Sequence, residues 1–260
     1  MKNIAMLFVA LAVFVLVSSA HAVTDTATYT ATAAGNNPNE TLKASATFAL
    51  SNSDLVVTLA NISTSDPNDP SDILTGLLLD ITGDPKLTAM SAALGPDSSI
   101  INHSVPTNFT GNVGGEWSYR SDLLRAPEGD NEGISSTSLR WFSARYLFYK
   151  KRLPGARSLS QVQFGLTTLN DLPGNDDAAL RGRALIENSV VFTFAGLPAD
   201  FTLSDISKVD FQYGYRVTPG SELLGEPVSV VSVPEPSTIG LIGAGLLGGI
   251  AFLRRRAGPR

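Results

Sequence analysis

Residues 43–59 read KASATFALSNSDLVVTL, and their patterning decides the fold class. Ala44, Ala46, Phe48 and Leu50 alternate with Lys43, Ser45, Thr47 and Ala49, and Leu55, Val57 and Leu59 resume the same period after Ser51-Asn52-Ser53-Asp54. A period of two sends successive side chains to opposite faces of a strand, and a short polar cluster between two such runs is a turn. The stretch therefore predicts a β-hairpin with one buried face. Val190, Phe192 and Phe194 form one side of a second predicted strand, and Val209, Phe211, Tyr213, Tyr215 and Val217 one side of a third. Turn-rich stretches at residues 66–72, 111–115 and 172–177 separate such runs. Many short strands joined by polar turns, with little helical periodicity, point to an all-β domain, a β-sandwich or jelly-roll-like fold.

Working outward, the body is expected to span residues 23–220, with residues 221–233 as a linker that carries it away from a membrane. That length suits one large β domain. Residues 23–233 hold 23 acidic and 14 basic side chains, a net charge of −9, which argues against nucleic acid or anionic lipid as a partner. There is no cysteine, so disulfides, thiol catalysis and thiolate metal sites are all excluded and the fold must rest on its apolar core.

The two ends have a different character. Lys2, an apolar run over residues 4–17, and then Ser18, Ser19, Ala20, His21 and Ala22 read as a secretory signal peptide. Small side chains at Ala20 and Ala22 fit signal peptidase, so cleavage after Ala22 and export by the general secretion machinery are expected, with residues 1–22 removed. At the other end, residues 233–260 read VPEPSTIGLIGAGLLGGIAFLRRRAGPR. The seventeen residues 237–253 carry no charge. As a helix they would rise roughly 26 Å, near the lower limit for spanning a bilayer. Arg254, Arg255 and Arg256 would stop transfer and hold that end in the cytoplasm, leaving everything before Pro234 outside the inner membrane.

This tail closely resembles the PEP-CTERM sorting signal. Its three parts are Pro234, Glu235 and Pro236, then a Gly-rich apolar helix, then Arg254, Arg255 and Arg256, so that residues 234–260 form the sorting region. The resemblance implies a Gram-negative host that makes extracellular polysaccharide, and recognition by exosortase, a membrane-embedded transpeptidase-like protease. Two prolines keep the recognition peptide extended and free of backbone pairing, as a protease substrate should be. The body also resembles a family of exosortase-dependent surface proteins, along DPSDILTGLLLDITG at 69–83, GEWSYR at 115–120, VQFGLTTL at 162–169 and residues 187–214. That likeness implies an address without an established activity.

Catalytic signals are sparse. Signal cleavage would leave His103 as the single histidine; no G-x-S-x-G turn and no H-E-x-x-H accompanies it, which points away from a Ser-His-Asp triad and from a multi-histidine zinc site. Glu116 beside Trp117 is the most suggestive carboxylate for glycoside chemistry, although an edge-strand Glu next to a core Trp gives the same pattern. Asp66, Asn68, Asp69 and Asp72 in DPNDPSD could supply hard oxygen ligands to calcium, but Asp-Pro pairs are ordinary turn formers and the spacing is not that of an EF-hand. The cluster Asn175-Asp176-Asp177 is a lesser candidate, and Asn61-Ile62-Ser63 is a glycosylation sequon. No metal site, cofactor or enzymatic activity is expected.

One segment breaks the pattern. Residues 139–157, LRWFSARYLFYKKRLPGAR, hold six of the fourteen basic side chains of the body. They fit a basic aromatic surface loop, or a patch on which Trp141, Tyr146 and Tyr149 stack on sugars while the cations meet acidic polysaccharide, or a compensated frameshift that replaced a Gly- and Pro-rich loop.

Together these readings predict an exported, exosortase-processed surface or extracellular-matrix protein with a structural or adhesive role linked to exopolysaccharide. A carbohydrate-binding module is the alternative, in which Trp117 or Trp141 would contact the polymer, and a secreted hydrolase is the third.

Overall fold

A computed structural model of the chain describes residues 25–35, 40–123, 129–137, 153, 162–169, 171, 180–214 and 222–231. The signal peptide, Pro234, Glu235, Pro236, the apolar tail, Arg254, Arg255 and Arg256 lie outside the described residues, as do Tyr215, Val217, residues 172–177, and the basic segment apart from Leu153. Among the described residues no helix is long and apolar enough to cross a membrane.

The hairpin read from residues 43–59 is the centre of the first sheet. Strands β1 (Thr26–Ala34), β2 (Thr41–Ser51) and β3 (Asp54–Asn61) pair antiparallel in sequence order. The β2–β3 turn closes on Asn52 at φ 57°, the left-handed conformation that asparagine tolerates and tight hairpins use. In the second sheet, β4 (Leu74–Ile81) pairs with β8 (Glu132–Ser135), which pairs with β7 (Ser118–Arg120). On its other side β4 meets β12 (Ile206–Tyr213), which in turn meets β13 (Glu222–Leu224). Short strands β6 (Ile100–Ile101), β9 (Leu166–Thr167) and β10 (Leu185–Glu187) extend this sheet, with β9 and β10 parallel. Strand β5 (Thr88–Leu94) and strand β11 (Ser189–Ala195) return to the first sheet, whose order is completed by β14 (Glu226–Val231) to read β14-β1-β2-β3-β11-β5.

The inner faces of the two sheets share one core. Phe48, Leu55, Val57, Leu59, Val190, Phe192 and Phe194 come from the first sheet, and Leu77, Leu79, Ile81, Ile134, Val209 and Phe211 from the second. Each such side chain contributes about 1.5–3 kcal/mol by leaving water, which is how a chain without disulfides holds a sandwich. Polar ties cross the gap: the buried Tyr29 hydroxyl on β1 donates to the Ile206 carbonyl at 2.9 Å, and Asn61 Nδ2 on β3 donates to the Leu166 carbonyl at 3.0 Å.

Of the expected linker at residues 221–233, the described residues 222–231 are part of the folded body. They supply β13 and β14, and the chain crosses from the second sheet to the first at the buried Gly225, whose N–H donates to the Val209 carbonyl at 2.7 Å. A Cβ at Gly225 would lie 2.9 Å from both the Phe211 ring and that carbonyl, so only glycine passes here without displacement. The segment reads as a linker because it contains Pro227 and leaves Leu224 and Val228 more than half exposed, at 55% and 62%. Both properties belong to an outer strand, where a missing N–H and one wet face cost little. Residues Thr24–Ser232 form one compact unit, so the body runs past the expected end at residue 220.

Candidate functional site

The DPNDPSD stretch folds as an acid-capped turn. Asp69 caps a short 3-10 turn at Pro70–Asp72, accepting from the Ser71 N–H at 2.8 Å and the Ser71 hydroxyl at 2.7 Å, while Asp72 Oδ2 accepts from the Asp69 N–H at 2.9 Å. Asp66 Oδ1 accepts from the Thr168 hydroxyl at 2.9 Å, and Asn68 Nδ2 donates to the Asp66 carbonyl. These oxygens serve donors of the protein itself, and among the described residues no group of three or more His, Asp or Glu side chains is arranged to hold a metal ion. The sequon asparagine, Asn61, is 2% exposed, with its amide spent on Leu166 and its Oδ1 on the Ser63 N–H, so a glycan cannot be attached to the folded protein there.

Trp117 is completely buried and packs edge-on against Phe192 with ring centroids 5.1 Å apart. It is a core residue and cannot stack on a polymer. Its predicted neighbours do reach a surface, however. Glu116 ends a 3-10 turn at Gly114–Glu116 and, with His103, lines an open cleft of about 470 Å³. Asn112, Gln163, Phe109 and Phe164 contribute further walls. The sequence offered His103 and Glu116 separately; the fold brings both to one place, between the loop after β6 and the turn before β9.

The aromatic wall is held in an unusual backbone state. Phe164 sits at φ 58° and Asn102, next to His103, at φ 57°. A left-handed phenylalanine is rare, and such strain persists only where the surroundings fix it. Here the Phe164 N–H donates to the Ala184 carbonyl at 2.7 Å, and the following Gly165 N–H donates to Val162 at 3.0 Å. A side chain at Gly165 would place its Cβ 2.5 Å from Ile73, so the turn is pinned against the fold. The outcome is a Phe164 ring set edge-on to the His103 imidazole, centroids 6.3 Å apart.

Two buried acidic clusters lie elsewhere. Glu132 on β8 is 1% exposed and accepts a hydrogen bond from the Tyr119 hydroxyl on β7. Burial pushes its carboxyl up to about 8, against the lowering effect of that hydrogen bond, so it is mostly a neutral acid at pH 7. Burial, with the Glu132 charge second, raises Tyr119 in turn. On the outer face of β12, Lys208 Nζ lies 2.6 Å from Asp210 and 3.4 Å from Asp130. Burial and the Asp210 charge push Asp130 up to about 7, while Lys208 pulls it down. Burial alone would lower Lys208, but the two carboxylates outweigh it and hold the ammonium protonated. None of these groups lines the cleft. They were legible in sequence only as ordinary members of an acidic composition.

Comparison with known proteins places one feature. Residues 232–256 match the family described as the PEP-CTERM protein-sorting motif. No curated protein matches the chain. The chain thus carries a C-terminal sorting motif and is an exported protein, targeted to exosortase and processed at the membrane. The match begins one residue after β14 ends, so the motif follows the folded body without an intervening spacer in sequence.

Proposed function

We propose that exosortase cuts this chain at or near Pro234, Glu235 and Pro236, and that the released sandwich serves as a structural or adhesive component of the surface or extracellular matrix of a Gram-negative, exopolysaccharide-producing cell. The sorting motif at residues 232–256, set directly behind a disulfide-free β-sandwich, carries the proposal. Val231 is the last residue of β14 and pairs with Thr26, so a cut at the proline pair falls just beyond the last paired residue and leaves the body whole. Signal peptidase cleavage after Ala22 would leave three residues of chain ahead of β1.

A body that binds or scaffolds, rather than one that catalyses, agrees with the cleft. Hydrolysis of a glycoside by the usual route needs two carboxylates opposed across the bond. Among the described lining residues Glu116 is the one carboxylate. Replacing Pro234, Glu235 and Pro236 together by alanine, or deleting exosortase from the host, is expected to leave the full chain in the membrane fraction. Fractionation followed by immunoblotting reads this out. Equal release from wild-type and exosortase-deleted cells would refute the assignment.

A further inference from the structure

We infer that the cleft between residues 100–116 on one side and residues 163–164 and 182–184 on the other is a binding site for a neutral saccharide, with Phe109 and Phe164 as the apolar platform and Asn112, Gln163, Glu116 and His103 as its polar partners. This names the ligand class behind the adhesive reading of the body and rests on that reading.

The size and the mixed chemistry both point this way. About 470 Å³ falls within the roughly 300–1,000 Å³ typical of small-molecule sites. An acyl chain would fill the apolar part but leave two amides, an imidazole and a carboxylate facing hydrocarbon, which is costly. An acidic sugar or a phosphate would need a cation, and among the described lining residues there is no Lys or Arg. A neutral pyranose satisfies both surfaces. Its C–H face rests on an aromatic ring, and its hydroxyls can donate to a carboxylate or accept from an amide. Asn112 Oδ1 accepts from the Gly114 N–H at 2.8 Å, so the donor this side chain can offer a ligand is Nδ2.

The backbone supplies a second, independent line. Phe164 is held at φ 58° where glycine or asparagine would sit without strain. Keeping a bulky ring there works against local stability, and strain of this kind gathers at ligand clamps. The ring it presents forms part of the cleft wall.

The test uses the full chain in a detergent without a sugar headgroup, titrated calorimetrically with tetrasaccharides of β-1,4-linked glucose and β-1,4-linked N-acetylglucosamine, and with tetragalacturonate as the acidic counterpart. At least one neutral tetrasaccharide is expected to bind saturably and the acidic one not to bind. F164G, which suits the left-handed backbone, should weaken binding about tenfold or more, the loss expected of a central anchor, with the melting temperature held within about 4 °C. Q163A should weaken binding without unfolding, and M90A, at an exposed β5 position outside the cleft, should change nothing. Absence of binding by both neutral probes, binding of the acid alone, or unchanged affinity in both F164G and Q163A would overturn the inference. Processing at the C-terminus, measured on the same preparations, would be unaffected by any of these outcomes.

Discussion

A chain ended at residue 220 is expected to be less stable than one ended at residue 233 by about 3 kcal/mol or more. The shorter chain loses β13 and β14, and with them the β14 register that matches Thr26 with Val231, Ala27 with Val230, Thr28 with Ser229, Tyr29 with Pro227 and Thr30 with Glu226. At about 0.5–1.5 kcal/mol per net hydrogen bond, a handful of lost ladder bonds gives that magnitude. The loss also uncovers the edge of β1, whose Tyr29 ties the two sheets through Ile206. Gly225→Val in the longer chain should move stability in the same direction, because its side chain would collide with the Phe211 ring and the Val209 carbonyl. Urea unfolding of the two truncations and of the substitution measures all three. Equal midpoints for the chains ended at 220 and 233 would restore the linker reading.

The second large effect is a loss of stability as the solution becomes more alkaline. Glu132 has its folded pKa raised by burial from the ordinary carboxyl value of 4.5 to about 8. A carboxyl raised in this way keeps its full contribution below about pH 4.5, where both folded and unfolded chains hold the proton. Between about pH 4.5 and 8 the unfolded chain releases that proton while the folded chain retains it, so stability falls, and the loss is complete once the pH passes the folded value. At about 1.4 kcal/mol per pKa unit the effect is on the order of 5 kcal/mol. Asp130 adds a contribution of the same sign over the window from 3.8 to about 7, reduced by its Lys208 partner. The melting temperature is therefore expected to drop from pH 5 to pH 8. E132Q, which keeps the shape and a group able to accept from Tyr119 without titrating, should flatten most of the drop and raise stability at pH 8. A melting temperature that rises between pH 5 and pH 8 would contradict the buried, protonated state of Glu132.

How far the sequence reached depended on which faces were wet. The hairpin of β2 and β3 was legible because Ala44, Ala46, Phe48, Leu55, Val57 and Leu59 all point to one buried face while their alternates are less buried. The buried side of β11, formed by Val190, Phe192 and Phe194, was legible for the same reason. The pattern for β12 was half right. Val209, Phe211 and Tyr213 face the core as expected, but Asp210 and Gln212 on the other side are also buried, at 2% and 0% exposure. A period of two marks a difference between faces; it cannot reveal that the polar face too is covered. The outer strands β13 and β14 were missed because exposed hydrophobic residues and a proline imitate a tether.

The cleft was only partly visible. His103 and Glu116 stood out by residue type, but Phe109, Asn112, Gln163 and Phe164 carry no motif, and their convergence depends on two turns with left-handed non-glycine residues. The clearest signal for Phe164 is its neighbour: Gly165 implies a tight turn, but in the fold the phenylalanine, and not the glycine, takes the positive φ. Trp117 misled in the opposite sense, since a tryptophan beside a carboxylate suggests a sugar platform while its indole lies against Phe192 in the core.

Intact-mass analysis of the protein recovered from outside the cell tests the sorting assignment most directly. The mass should correspond to a chain that begins at Val23 and ends within or next to Pro234, Glu235 and Pro236, with β14 retained. Extracellular protein that still carried Arg260 would contradict it.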